Sequence, residues 1–182
     1  MLDLKPFEKR RRLFLDQLSD YAAVIPAASL VTHHADCEYP FRRNSDFWYL
    51  TGFDEPDAVA LFLPHRPEGQ QYVLFVLPKE PNLEIWHGSR CGVEAAVNEF
   101  GADIAHSIAE FPNKLSSYLE GSKGIAFRVG KHSKIESFVL TVLSEQLDQV
   151  SRTGLDALSL IDPSPLLHQL RLRKDPMEIL RM

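Results

Sequence analysis

Three short apolar runs are the feature that most constrains how this chain can fold. They span residues 22–30, 58–64 and 71–78, and polar or turn-forming residues bound them. Short apolar runs between turn signals are typical of buried strands. A turn with Pro and Gly at 65–70 separates the last two runs, so we expect them to be neighbouring strands. Residues 124–130, enclosed by glycines, predict a further strand.

Helical patterns alternate with these strands. A shorter strand is predicted at 83–90, and helical spacing of apolar residues predicts helices at 6–18, 93–101, 108–119, 133–150 and on both sides of Asp175. This alternation favours an α/β fold, a three-layer sandwich in which helices flank a mixed, about six-stranded sheet. The predicted core comprises Phe14, Val24, Ile25, Leu61, Leu63, Val73, Phe75, Ile125, Phe127, Phe138 and Leu143.

Two helices carry more detailed predictions. The basic run from Lys9 to Arg12 in the first helix is predicted to be a solvated face. The alternative, a nucleic-acid patch, is disfavoured because no aromatic residues for base stacking interleave with it. In the fourth helix, Ser133 followed by Glu136 predicts a capping box.

Composition and charge narrow the class of protein. The chain has 182 residues and a net charge of -5, which provides no overall attraction to nucleic acid or to anionic membranes. Its two cysteines, Cys37 and Cys91, are too few for a disulfide framework and are predicted to be free thiols in a reducing compartment. The N-terminus has no continuous apolar stretch of signal-peptide length, and no apolar run reaches the roughly 18 residues of a membrane span. These features predict a cytoplasmic protein.

The densest polar cluster lies in the long loop 31–46. It comprises His33, His34, Asp36, Cys37 and Glu38, followed by Arg42, Arg43, Asn44 and Asp46. In an extended segment, at most His34 with Asp36 and Glu38, or His33 with Cys37, share a side, so a complete metal site is disfavoured. Two interpretations stay open: a loop held by Arg–carboxylate bonds, and a loop that contributes residues to a partner's site.

Other candidate residues have a structural interpretation beside a functional one. The aromatic run from Phe47 to Phe53 favours core packing, and the residues from Asn44 to Asp46 are predicted to cap a turn. Trp86, close to Gly88, fits either core packing or the wall of a substrate pocket. Cys91 has no base beside it in sequence, which disfavours a nucleophile.

The string EYPFRRNSDFWYLTGFDEPDAVALFLP (38–64) resembles the N-terminal domain of the Xaa-Pro aminopeptidase (aminopeptidase P) family, in the wider creatinase–prolidase group. The segments FEKRRRLFLDQL and LEIWHGSRCG resemble the first helix and the E-x-W-x-G segment of that domain. HQLRLRKDPMEILRM resembles the junction at which the catalytic domain begins. The chain also stops inside the helical pattern that starts at Pro176, so we expect a longer parent protein.

The resemblance implies that two domains of the parent protein have different roles. It implies a creatinase/prolidase-type fold with a ribonuclease H-like motif over 1–174, and the start of the catalytic metallopeptidase domain at 175–182. The family removes the N-terminal residue from peptides with proline second, using two metal ions, typically manganese. The two Asp, one His and two Glu that bind them lie in the C-terminal domain, so the resemblance assigns this chain no catalytic residue and no metal ligand.

Two residues of this chain acquire auxiliary roles from the resemblance. Asp36 is implicated in reaching toward a neighbouring subunit's site in a homotetramer, and Trp86 in forming the wall of the substrate pocket. The chain departs from relatives at His33, His34 and Cys37. Two rival hypotheses are a binding module without catalytic activity, and a small metallohydrolase built on His33, His34 and Asp36.

Overall fold

The computed structural model describes residues 3–35, 37–80, 82, 84–85, 88–153 and 158–181. The strands are β1 (Tyr21–Pro26), β2 (Thr32–His34), β3 (Cys37–Glu38), β4 (Val59–Phe62), β5 (Tyr72–Val76), β6 (Ile104–Ser107), β7 (Gly124–Ala126) and β8 (Ser159–Ile161). The helices are α1 (Lys5–Leu18), α2 (Ser45–Thr51), α3 (Gly92–Asn98), α4 (Phe111–Leu119), α5 (Ser133–Thr153), α6 (Ser164–Leu172) and α7 (Pro176–Arg181), and a 3₁₀ turn at Ile108–Glu110 precedes α4.

Six of these strands form one mixed sheet in the order β6-β5-β4-β1-β7-β8. The central pairs β1–β4 and β4–β5 are antiparallel, and the outer pairs β5–β6, β1–β7 and β7–β8 are parallel. The antiparallel pair β4–β5 is the hairpin predicted at 58–78. The mixed six-stranded sheet is confirmed, although the edge strands β6 and β8 were not among the predicted strands.

Alternating side chains along the strands fill two cores, one on each face of the sheet. Ile25, Phe62 and Leu74 face the core beneath α1, α2, α3 and α6. Val24, Leu61 and Phe75 face the core beneath α4 and α5. The central strands are therefore buried on both faces, which is why they appear in the sequence as continuous apolar runs. The result is the predicted three-layer sandwich.

Most of the predicted core is buried. Nine of the eleven predicted residues are 0–5 % exposed, and Phe138 and Leu143 are half-buried against the core beneath α4 and α5. Both of these lie on α5, whose outer side faces solvent.

The predicted solvated face of α1 is wrong for two of its four basic residues. Arg10 and Arg11 are each only 6 % exposed, while Lys9 and Arg12 are exposed. The Arg11 guanidinium lies 4.4 Å over the Tyr72 ring and donates to the Leu50 carbonyl, and burial lowers the pKa of Arg11. Carbonyl and aromatic partners stabilise a charge that would otherwise need water.

Two further local predictions are corrected. Glu84 and Ile85 are helical rather than extended, because the Gly88 N–H donates to the Glu84 carbonyl and closes a turn. Glu136 does not complete a capping box with Ser133; its carboxylate accepts from the Gly130 N–H, 2.7 Å away, and ties the preceding loop to α5. Within the described part of the chain, no helix is long and apolar enough to cross a membrane.

Candidate functional site

The loop 31–46 carries an exposed two-stranded hairpin. Strands β2 and β3 pair antiparallel around Ala35, whose φ of 47° turns the chain, and the residues of both strands are exposed. The Tyr39 N–H donates to the Val31 carbonyl at 2.9 Å and closes the base of the hairpin. The His33 ring packs edge-on against Tyr39 with centroids 4.5 Å apart. The hairpin is thus a defined arm rather than an irregular loop.

The loop is anchored to the domain beyond the hairpin. Asn44, predicted to cap a turn, caps the helix α2, because its side-chain oxygen accepts from the backbone N–H groups of Asp46 and Phe47. Arg43 pairs with Asp54 at 2.8 Å, and Asp46 accepts from Arg171 of α6. The expected Arg–carboxylate bonds therefore exist, but they join the loop to other parts of the domain instead of closing it on itself.

A second segment, 84–91, is held by two carboxylates that bind backbone N–H groups. The Glu84 side chain accepts from the Arg90 N–H at 3.2 Å, and Glu55, from the turn after α2, accepts from the Cys91 N–H at 2.8 Å. Ile85 in this segment is 79 % exposed. Both ends of the segment are therefore fixed, and Ile85 next to its first residue is exposed.

Two adjoining grooves lie at one end of the sheet, beside the base of the hairpin and the segment 84–91. A groove of about 260 Å³ is lined by Leu30, at the base of the hairpin, and by Glu84, Gly88 and Arg90. It shares Asp57 and Leu77 with a larger, mainly apolar groove of about 820 Å³ that reaches the start of α5. We call this end of the sheet, with the hairpin 31–40 and the segment 84–91, the loop edge.

The loop edge lies where the parallel strands β1 and β5 end. In open α/β sheets, ligands bind outside the carboxyl ends of the strands. Lys131, His132 and Lys134 line the larger groove, and burial, followed by the charges of Arg128 and Lys131, lowers the pKa of His132. The groove thus joins an apolar floor to a basic rim.

The surroundings of Cys91 raise the pKa of its thiol, whereas a nucleophilic cysteine needs a lowered pKa. Burial, a hydrogen bond to Glu55 and the charge of that carboxylate raise the pKa of Cys91 to about 12. A thiol that stays protonated at neutral pH is a poor nucleophile. Cys91 and Cys37 are not joined by a disulfide.

The two residues predicted to have auxiliary roles, Asp36 and Trp86, lie outside the described residues, as does His87. The expected partial exposure of the Trp86 ring therefore stays a prediction. The described neighbours of both positions, Ala35, Cys37, Ile85 and Gly88, belong to the loop edge.

The described side chains do not fit a metal centre. In the ranges that the structure covers, no three or more His, Cys, Asp or Glu side chains form a group that could hold a metal ion. His33 packs on Tyr39, and both residues lie on the exposed hairpin. No step of a metal-dependent reaction is assigned to these residues.

Glu55 and Glu84 are functional candidates that the sequence did not indicate. Glu55 acts on a residue 36 positions away, and Glu84 lies in a segment predicted to be a strand. The sequence holds one local signal for the helical turn at Glu84, namely Gly88 four residues later, since glycine often ends a helical turn in the left-handed conformation. In the structure Gly88 has a φ of 80°.

The chain is similar in sequence to a known protein family. The chain matches the family model "Aminopeptidase P, N-terminal domain" over residues 7–126. It is 38 % identical over 175 residues to the Xaa-Pro aminopeptidase of Escherichia coli, covering 95 % of this chain and 40 % of the relative. It is 34 % identical over 179 residues to the Xaa-Pro aminopeptidase of Haemophilus influenzae, covering 98 % and 39 %.

Solved structures of aminopeptidases superpose on this chain. Aminopeptidase P from E. coli, in its low-pH form, superposes with a TM-score of 0.89 at 36 % identity, covering 99 % of this chain and 41 % of that one. The structure of Pseudomonas aeruginosa aminopeptidase PepP gives a TM-score of 0.88 at 29 % identity, covering 98 % and 40 %. The chain therefore spans about two fifths of the length of the relatives it matches.

Proposed function

Because this chain belongs to the aminopeptidase P N-terminal domain family, we propose that it is the non-catalytic N-terminal domain of a metal-dependent Xaa-Pro aminopeptidase. The parent enzyme removes the N-terminal residue from peptides that have proline in second position. The observation that carries the proposal is the match to E. coli aminopeptidase P, which extends over 99 % of this chain at a TM-score of 0.89.

The proposal places the chemistry on the part of the parent that this chain lacks. The described residues include no group of three or more His, Cys, Asp or Glu that could hold a metal ion, and burial and Glu55 keep Cys91 as a thiol. We propose that two divalent metal ions, with manganese as the expected species, are bound by the following catalytic domain. We place the start of that domain at Asp175, so that 1–174 form the N-terminal domain.

In this proposal the loop edge borders the active site. The bond before proline is a tertiary amide with restricted geometry, so a selective site needs walls that fit one shape. Trp86, in the segment held by Glu55 and Glu84, is proposed as part of the pocket wall. Asp36, which follows Ala35 in the sequence, is proposed to reach a neighbouring subunit's site, where its carboxylate would attract a peptide ammonium or hold an Arg.

Assembly and location are part of the same proposal. We propose that the parent is a homotetramer, because an exposed hairpin is suited to reach a neighbouring copy. We propose the cytoplasm as its compartment, which fits the absence of a bond between Cys37 and Cys91. Light scattering on the purified parent gives the number of subunits directly.

The decisive experiment compares the parent with this chain. The full-length protein, loaded with Mn²⁺, should cleave Arg-Pro-Pro, and the 182-residue chain under the same conditions should not. Turnover by the short chain would refute the placement of the chemistry. A stable parent that cleaves no Xaa-Pro peptide would favour the alternative, a binding module of a peptidase-like protein.

Variants of the parent test the two auxiliary residues. Trp86→Ala and Asp36→Asn should each lower kcat/KM at least about tenfold, the effect of losing one good contact in the transition state. The matched controls are Trp86→Phe, which keeps an aromatic wall, and Glu38→Gln, which removes a nearby carboxylate on the same hairpin. If the controls and the test variants behave alike, the assigned roles are wrong.

A further inference from the structure

The groove of about 820 Å³ at the loop edge has a lining that the proposed active-site border does not explain. Its volume is in the range of protein sites that enclose small organic molecules. Buried Ala27, Ala58 and Val59 form part of its floor, where β1 ends and β4 begins. Phe111 of α4 and Phe138 of α5 continue this apolar floor. We call it the sheet-end groove.

The backbone of this floor is already paired. The Ala27 N–H donates to the Ala58 carbonyl at 2.8 Å, and the Asp57 N–H donates to the Ala28 carbonyl at 3.0 Å. A ligand with amide groups along its whole length would leave them without partners over such a floor, and each unpaired group costs free energy. The floor therefore favours a ligand whose polar atoms are confined to one end.

Charged side chains lie at opposite ends of the sheet-end groove. At one end, Lys131 and His132 also line a third groove, of about 290 Å³, together with Arg128. At the other end, Asp57 also lines the groove of about 260 Å³ beside the segment 84–91. Among the described lining residues, Asp57 is the only acidic one. An anionic group is therefore attracted to the end at α5 and repelled from the end at Asp57.

The cations at this end are available to a ligand. Lys131 and Lys134 are exposed, and the ion pairs of the described residues involve neither of them. Burial, followed by the charges of Arg128 and Lys131, lowers the pKa of His132, so its neutral ring has one N–H to donate. Two ammonium groups and an imidazole thus line one end of an otherwise apolar groove.

The sheet sets the length of the groove. It extends from Leu77, which follows β5, to Lys131, which lies between β7 and α5. The strand order β5-β4-β1-β7 places three strand spacings between these ends, a span of about 14 Å. An extended chain advances about 1.2 Å per bond, so an unbranched ligand of about ten carbons matches this span.

We propose that the sheet-end groove is a binding site for a small amphipathic carboxylate, of the chemical class of medium-chain fatty acids. The apolar chain of this ligand lies along the floor, and its carboxylate pairs with Lys131 and Lys134, away from Asp57. The site does not depend on the proposed peptidase activity. It gives a ligand to a groove that the proposed function leaves without one.

Calorimetric titration of the full-length protein with decanoate, below the concentration at which micelles form, tests the site. Decanoate should bind at one site per chain, and acetate, which has the charge without the chain, should not bind. Decanol has the chain without the charge and should bind at least about tenfold more weakly, because a hydrogen bond to a charged group contributes that factor. Absence of saturable decanoate binding, or equal affinities for decanoate and decanol, would overturn the proposal.

Variants of the two lysines test the charged end. Lys131→Met with Lys134→Met should weaken decanoate binding about tenfold and leave decanol binding unchanged. The matched control, Lys5→Met with Lys9→Met, removes the same charge from exposed positions on α1 and should leave both affinities unchanged. Equal weakening by the two double variants would mean that the overall charge of the protein, and not this site, attracts decanoate.

A further variant tests the apolar floor. Ala28→Phe places a ring in the groove and should abolish binding of both decanoate and decanol, while circular dichroism shows an unchanged fold. Wild-type affinity for decanoate in this variant would place the bound ligand elsewhere on the protein and overturn the proposal.

Two other occupants of the groove are tested with the same proteins. Smaller oligomers of full-length Ala28→Phe in light scattering would assign the groove to an interface between copies. Displacement of decanoate from the metal-free protein by Arg-Pro-Pro, but not by its C-terminal amide, would assign the groove to the end of a peptide. Either result overturns the proposal. None of these measurements uses peptide turnover, so failure of the proposed function and failure of this site are distinguishable.

Discussion

The loop edge and residues 172–181, which we call the C-terminal junction, both present apolar side chains to solvent, but different bonds hold them to the domain. At the loop edge, the carboxylates of Glu55 and Glu84 accept from backbone N–H groups. At the junction, the side chain of Arg10 binds the carboxylates of Asp175 and Glu178. One region is fixed through its backbone and the other through paired charges.

This difference in bonding determines which side chains each region can replace without a change of shape. A carboxylate that binds a backbone N–H fixes the path of the chain whatever side chains the segment carries. The loop edge can therefore change its exposed residues and keep its shape. The junction depends on three particular side chains, one of them 165 positions from its partner. Replacing any of the three removes part of this pairing.

The largest expected effect breaks the junction. Arg10→Met should lower the free energy of unfolding of this chain by about 3 kcal/mol, because it removes a buried guanidinium that pairs with two partly buried carboxylates. Urea unfolding measures the change. Arg12→Met, on the exposed side of α1, is the control and should stay within about 0.5 kcal/mol. Similar losses in both variants would mean that the ion pairs contribute nothing.

A smaller effect is expected from breaking the loop edge. Glu55→Ala should cost about 2 kcal/mol, since the Cys91 N–H loses a charged acceptor at 2.8 Å. Glu55→Gln keeps an acceptor of the same shape and should lose about half as much. Amide hydrogen exchange at Cys91 provides a local measurement and should accelerate in Glu55→Ala. Unchanged exchange would show that other contacts hold the segment.

The smallest effect concerns pH, and it belongs to the loop edge. Burial and two neighbouring cations lower the pKa of His132 from its ordinary value of 6.5, so the unfolded chain binds its proton more readily. The free energy of unfolding should therefore fall as the pH drops below about 6.5. Burial lowers the pKa of His65 and His106 too, so they contribute in the same direction.

The variant His132→Gln measures how much of this pH dependence of the unfolding free energy comes from His132. The slope of unfolding free energy against pH, measured by urea titration between pH 7 and 5, should become shallower in the variant. A comparison at pH 8 separates any change in packing from the change in titration. A steeper slope in the variant would contradict the direction of the pKa shift.

Two predictions that rest on local sequence agree with the structure. Asn44 caps α2 because an Asn side chain reaches backbone N–H groups two and three residues ahead, whatever the fold. The central strands follow from their apolar runs. Three predictions were wrong. Glu136 binds Gly130 rather than closing a box with Ser133, and residues 84–85 are helical because the Gly88 N–H closes a local turn. Arg10 and Arg11 are buried because distant rings and carbonyls receive their charges.

The sequence by itself determined the sandwich and the family. It did not determine the buried stripe of α1, because the basic run was predicted to be solvated, whereas Arg10 and Arg11 lie in the structure beside Phe7, Phe14 and Leu18. Only the tertiary structure decided what receives them there: the rings and carbonyls of α2, Tyr72 and the carboxylates of the junction. Periodicity and capping act over a few residues, whereas the partners of a buried charge come from segments that meet only after the chain has folded.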